Sequence, residues 1–274
     1  MVVQKRHPFA RARVAKMRSP QLRTRSLLVT LAAAVAGVAL VLSSGPANAV
    51  ANGSPVPDGQ YAFSTKLTMT GIPRSDGTTY DSACSAALIA PQWVITAGHC
   101  FHDVRGVRVS GPTPYATTAT IGRTELSQTS GHVVNVVEVR QAPRVDVALA
   151  RLASPVTDVA PLPLSSANPK AGAILRVTGW GATSSVNPTP VTRLQTGQVK
   201  VKRVSGSTVL VVGYAPAPTT SACLWDSGAP YFSETNGSLA LVSVEVDGPA
   251  CPHNQEETTA GIARITDWIR DTIG

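Results

Sequence analysis

The sequence predicts an all-β protein that ends in a single helix. Three observations carry this: short β-branched runs of period two, frequent turn residues, and one helical pattern at the end of the chain. Gly and Pro number 22 and 21 among 274 residues, which punctuates the chain into many short segments. Hydrophobic residues make up 43% and charged residues 15%, which fills a core and excludes global disorder.

In chain order the strand candidates are residues 85–89, 93–96, 133–139, 147–152, 174–178, 199–204, 208–212, 239–246 and 261–265. Many are β-branched and alternate, as half-buried strands do. In Val199-Lys200-Val201-Lys202 one face is apolar and the other charged. The helix is expected over residues 267–273, with Thr266 as its cap and Asp267 in the first turn, where negative charge is favoured. A Pro- and Ser-rich stretch, residues 160–172, divides the chain near its middle, and no repeat of fixed period is present.

Residues 1–49 read as a secretory signal peptide. Basic residues end at Arg25, an apolar run covers residues 27–42, and Ala47-Asn48-Ala49 has the small-x-small pattern of a signal peptidase site. Met17 offers a second start. The run is shorter than the roughly 20 residues of a membrane span, which disfavours an uncleaved anchor, and no second such run follows. Secretion is therefore expected, without stable membrane association once the signal is removed. The formal charge of +8 belongs to this segment: eight of the 24 Lys and Arg precede residue 50, and none of the 16 Asp and Glu does. The rest is balanced, which excludes a basic surface for nucleic acid.

Cys84, Cys100, Cys223 and Cys251 allow three pairings. Export makes disulfides the expectation. A metal site is the weaker reading because no two cysteines stand at zinc-knuckle spacing. Asn52-Gly53-Ser54 and Asn236-Gly237-Ser238 match the glycosylation pattern, a triplet that arises easily by chance.

Three segments carry chemistry. Residues 93–100 run from an apolar strand into His99 beside Cys100; residues 146–152 lead an apolar strand with Asp146; residues 223–230 place Ser227 between Asp226 and Gly228. Each alone has a bland reading as a structural His, a solvated turn Asp or an ordinary Asp-Ser-Gly turn. Together they supply nucleophile, base and orienting carboxylate for acyl transfer.

In that order these segments resemble the signature blocks of the chymotrypsin/trypsin family, as do Val177-Thr178-Gly179-Trp180-Gly181 and Gly261-Ile262-Ala263-Arg264-Ile265. The likeness covers nearly all of residues 50–274. It implies two six-stranded antiparallel β-barrels packed face to face, about 50–165 and 166–274, with a C-terminal helix. It implies a monomer acting on protein or peptide substrates without cofactor or metal; no calcium loop is legible. His99, Asp146 and Ser227 would form the triad, and the N–H groups of Trp225 and Ser227 the oxyanion hole. Cys84–Cys100 and Cys223–Cys251 would be the disulfides. Ser221 would lie at the base of the substrate pocket, giving an apolar or aromatic preference rather than a strict basic one. Ser243 would bond the triad carboxylate, and Val50, exposed as a new N-terminus after Ala49, would pair with Asp226.

Four positions depart from the family pattern: Gly98 stands for an Ala, Trp225 and Ala229 for glycines, and Glu245 for a small residue at the pocket entrance. Gly98 is expected to be harmless. Trp225 presents its N–H if φ is negative, or turns it away, in which case glycine there would raise turnover. Glu245 either attracts basic side chains or is solvated at the rim. The reading is a secreted serine endopeptidase working through an acyl-enzyme. Its alternative is a catalytically impaired binding protein on the same fold.

Overall fold

In the computed structural model, residues 50–274 are described; the expected signal peptide and Met17 lie outside the described residues. The chain runs through β1 (Ser54–Pro55), β2 (Ser64–Pro73), β3 (Thr79–Ala90), β4 (Trp93–Thr96), a 3-10 turn (Gly98–Cys100), β5 (Gly111–Pro112), β6 (Ala116–Ile121), β7 (His132–Gln141) and β8 (Ala148–Leu152). It continues through β9 (Ile174–Gly179), β10 (Gln195–Ser205), β11 (Thr208–Ala215), β12 (Pro230–Thr235), β13 (Ser238–Asp247), β14 (Glu257–Gly261) and α1 (Thr266–Ile273).

Two six-stranded antiparallel barrels result. The first closes in the order β2-β3-β4-β8-β7-β6 and the second in the order β9-β10-β11-β14-β13-β12. Each follows the same cycle of its own first, second, third, sixth, fifth and fourth strands, although the sequence has no repeat. Closure removes the unpaired edges that an open sheet would expose. Alternation decides which side chains fill the interiors: Val199 and Val201 are buried while Lys200 and Lys202 are exposed.

The barrels share an apolar interface. Phe63 and Tyr61 of the first meet the Phe232 ring edge-on, at centroid distances of 5.3 and 5.2 Å. Such pairs add about 0.5–1.5 kcal/mol each beyond their burial. The ends of the chain cross over: β1 pairs with β10 of the second barrel, and Ile265 and Ile269 join the core cluster of the first.

Two local expectations are corrected. The strand expected over 261–265 ends at Gly261, because Ile262 to Ile265 close a turn through the Ile265 N–H and the Ile262 carbonyl. Thr266 does not cap α1: it lies inside the helix with its hydroxyl donated to the Ile262 carbonyl at 3.0 Å, and Ile265 is the N-cap. Strands β2, β6 and β12 gave no strong signal because Ser, Thr and Ala dominate β2 and β6, and β12 is short. Among the described residues no helix is long and apolar enough to cross a membrane.

Candidate active site

His99 is held at the end of β4 by the 3-10 turn that the Cys84–Cys100 disulfide ties back to β3. Its Nδ1 lies 2.8 Å from Asp146 Oδ2, and its backbone N–H donates to Asp146 Oδ1 at 2.9 Å. Two-point contact fixes the imidazole against the carboxylate and leaves Nε2 as the free nitrogen, as a general base requires. Burial alone would raise the Asp146 carboxyl. The hydrogen bond and charge of His99, its backbone N–H and the charge of Arg108 outweigh burial and hold it below the usual range.

Ser227 stands at the corner of two successive turns. The Asp226 N–H bonds the Cys223 carbonyl at 3.0 Å, and the Ala229 N–H bonds the Asp226 carbonyl at 2.7 Å. The third residues of these turns, Trp225 and Gly228, have φ of 72° and 82°, as a type II turn demands. At Gly228 a Cβ would also come within 2.1 Å of Thr96 Oγ1 and 2.4 Å of the Ser85 carbonyl. Here the first barrel grips the nucleophile segment: the Ser85 N–H bonds the Ser227 carbonyl at 2.9 Å.

The φ of Trp225 is positive, and the Leu224 carbonyl is held by the Ala182 N–H at 2.8 Å. In a trans peptide C=O and N–H point opposite ways, so the Trp225 N–H is turned away from Ala182. Among the described residues neither it nor the Ser227 N–H meets an acceptor. Trp225, Ser227 and His99 line one cavity of about 310 Å³. No hydrogen bond joins His99 to Ser227, a contact that is often long in unliganded sites.

Asp226 is fully buried. Its Oδ1 accepts the Gly181 N–H at 2.9 Å and its Oδ2 the Cys223 N–H at 3.1 Å. Burial pushes its carboxyl up to about 7 against these bonds, a further hydrogen bond from the Val50 N–H working the same way as they do. Val50 is itself buried, with φ at 53°.

A second cavity of about 290 Å³ is lined by Ser227, Ala222, Glu245, Asp247 and the Cys223–Cys251 disulfide, whose Cα atoms are 5.4 Å apart. Glu245 is not solvated at a rim: it is 4% exposed, and its Oε2 has no hydrogen-bond partner. Burial and the neighbouring Glu257 push its carboxyl well above the usual range, with Tyr231 opposing and Asp226 and Asp247 adding. The strand register causes this, since Glu245 pairs with Thr259 across β13 and β14 and points inward beside Glu257. Ser221 is buried behind this wall, its Oγ accepting the His253 N–H at 3.4 Å, and is not among the lining residues. Ser243 Oγ shares a hydrogen bond with Thr259 Oγ1 at 2.8 Å rather than with Asp146. Arg108 takes that place on Asp146, a residue that an arginine in an irregular loop did not announce.

The family model described as Trypsin matches residues 50–269. Kallikrein-5 of Homo sapiens is 28% identical over 210 residues, covering 69% of this chain and 67% of its own. A beta-fibrinogenase-like protein of Daboia siamensis is 28% identical over 207 residues, covering 69% and 77%. A suppressor of tumorigenicity 14 protein homolog of Bos taurus is 30% identical over 223 residues, covering 70% of this chain but only 25% of its own. With two closed barrels and this match over residues 50–269, the chain belongs to the trypsin family of serine proteases.

Proposed function

We propose that the chain is a secreted serine endopeptidase whose triad is His99, Asp146 and Ser227. One observation carries the reading: His99, doubly bonded to Asp146, lines one cavity with Ser227 and Trp225, whose N–H groups have no acceptor among the described residues. Ser227 Oγ attacks the scissile carbonyl while His99 Nε2 takes its proton. The N–H groups of Trp225 and Ser227 receive the oxyanion. His99 then gives the proton to the leaving amine, and water repeats the sequence on the acyl-enzyme. Substrates are proteins or peptides, taken by a monomer released by signal cleavage after Ala49, and the mature N-terminus at Val50 pairs with Asp226. Ser221 is neutral, which supports an apolar or aromatic preference, and Glu245 adds tolerance for basic side chains.

One observation favours the binding-protein reading, the tryptophan at an oxyanion position with φ of 72°. A fluorophosphonate separates the two. The enzyme is labelled at Ser227, seen by peptide mass spectrometry, and Ser227→Ala loses both labelling and hydrolysis while keeping its circular dichroism. An unlabelled wild type, or a Ser227→Ala protein that still hydrolyses, defeats the proposal.

A further inference from the structure

Asp146 carries a contact that the pairing with His99 does not need. Arg108 Nη1 lies 3.3 Å from Asp146 Oδ1, the oxygen that also accepts the His99 N–H, and 2.7 Å from the Val145 carbonyl. The arginine side chain is 35% exposed and the carboxylate 27%, so solvent screens the pair only partly.

The neighbouring residues are shaped around this contact. A Cβ on Gly98 would meet Gln141 Oε1 at 2.5 Å, Asp146 Oδ1 at 2.7 Å and Arg108 Nη1 at 2.8 Å. A Cβ at this position would have to displace the ends of these three side chains, which glycine leaves in place. Gln141 Nε2 donates to the carbonyls of Gly98, Phe101 and Val109, at 2.9, 3.3 and 3.2 Å. These bonds clamp the loop that carries Arg108 onto the turn that carries His99. Meanwhile Ser243 is engaged with Thr259.

We propose that Arg108, admitted by Gly98, is the positioning residue for the Asp146–His99 pair and extends activity toward acid. The guanidinium anchors Oδ1 while the imidazole holds Oδ2. Its charge also offsets part of the Asp146 charge that faces the imidazole. The other titratable groups on this cavity are Tyr80, His102 and Tyr115. His102 Nδ1 is bonded with the Asp103 carbonyl at 2.7 Å and its Nε2 lies 3.5 Å from Tyr80 Oη. Burial pushes Tyr115 up to about 12, so it stays neutral, and Asp103 is paired with Arg105.

The inference rests on the proposed triad, so its test has one readout with catalysis and one without. The first is kcat/KM on a peptide anilide from pH 4.5 to 9, for wild type, Arg108→Gln, Arg108→Lys, Gly98→Ala and the Gly98→Ala/Arg108→Gln double variant. The second is the NMR titration of the His99 ring in Ser227→Ala protein, with and without Arg108→Gln. The acid limb and the ring titration should both move up by about one unit in Arg108→Gln. Gly98→Ala, which pushes the guanidinium aside, should move it equally and add nothing in the double variant. Arg108→Lys, which keeps the charge, should stay near wild type. A purely structural arginine would lower the plateau and leave both midpoints in place, and that result overturns the inference. Additive shifts from Gly98→Ala and Arg108→Gln overturn it as well. If wild type hydrolyses nothing, the enzyme reading fails, and the ring titration still decides the role of Arg108.

Discussion

The carbonyl of Leu224 accepts the Ala182 N–H at 2.8 Å, and this bond orients the peptide that carries the Trp225 N–H. Trp225 is thus a bulky residue at φ of 72° with its N–H turned away from Ala182, a conformation that L-residues adopt at a cost of about 1–2 kcal/mol. Because the donor is already turned away from Ala182, Trp225→Gly should change kcat on a small ester by less than about threefold. Trp225→Val, β-branched and poorly suited to positive φ, should flip the peptide and lower kcat by roughly a hundredfold or more. A large gain in Trp225→Gly would mean that the native peptide hides its N–H.

Gly228 is the point where the barrels close on the nucleophile. Gly228→Ala adds left-handed strain of about 1–3 kcal/mol and drives a methyl into Thr96 Oγ1, the Ser85 carbonyl and the Ala97 N–H. The variant should lose more than about 3 kcal/mol of stability in urea and all fluorophosphonate labelling. A stable, active Gly228→Ala protein would show that the turn can be rebuilt.

The mature N-terminus is expected at Val50, by intact mass and N-terminal sequencing. With a residue still attached, Val50 is a β-branched residue at φ of 53°, and Asp226 has only N–H donors. Cleavage removes the preceding carbonyl, which is the source of that strain, and supplies an ammonium. In the uncleaved form the raised Asp226 pKa contributes stability below about 3.9 that is lost as pH rises through about 7. In the cleaved form the paired amine contributes at neutral pH and fades only as pH climbs through its own raised pKa. The melting temperatures of the two forms should therefore diverge between pH 5 and pH 8, the cleaved form gaining. A converging pair, a start well beyond Val50, or full activity with extra residues before Val50 would sink this.

Glu245 is a second buried acid, beside the equally buried Glu257. Tyr231, Glu257, Asp226 and Asp247 act on it, and His253 faces Glu257. Its raised pKa contributes stability below the unfolded carboxyl value and loses it as pH rises. Glu245→Gln, which cannot ionise, should lose less stability than wild type between pH 5 and pH 8, read by urea midpoints. A variant that tracks wild type across that range would show the carboxyl to be solvated.

A peptide library should show cleavage after large apolar or aromatic residues, with basic ones tolerated. Glu245→Gln should narrow that profile by removing the basic ones. Cleavage confined to Arg and Lys would mean that Glu245, not the neutral Ser221, governs the pocket.

The sequence by itself determined what depends on neighbours along the chain. Strict alternation specified β10 at Val199–Lys202, small residues and Cys100 placed His99 after a strand, and the order His99, Asp146, Ser227 named the chemistry. It even marked the informative positions, since Gly98, Trp225 and Glu245 all stood out as departures. What those departures do was decided only in three dimensions. Gly98 matters because Arg108 reaches Asp146 across 38 residues of sequence. Glu245 is buried because β13 pairs with β14 in one register rather than the next, and a one-residue slip would have turned it to solvent. The Trp225 N–H takes its direction because Ala182, far back in the chain, holds the carbonyl of Leu224. Barrel closure has the same character: β4 pairs with β8 and β9 with β12, strands that lie far apart in the chain. Local patterns reflect each residue's own preference and can be read one segment at a time. Burial, strain and charge at the site are sums over atoms brought together from distant segments, so they exist only once the chain has folded.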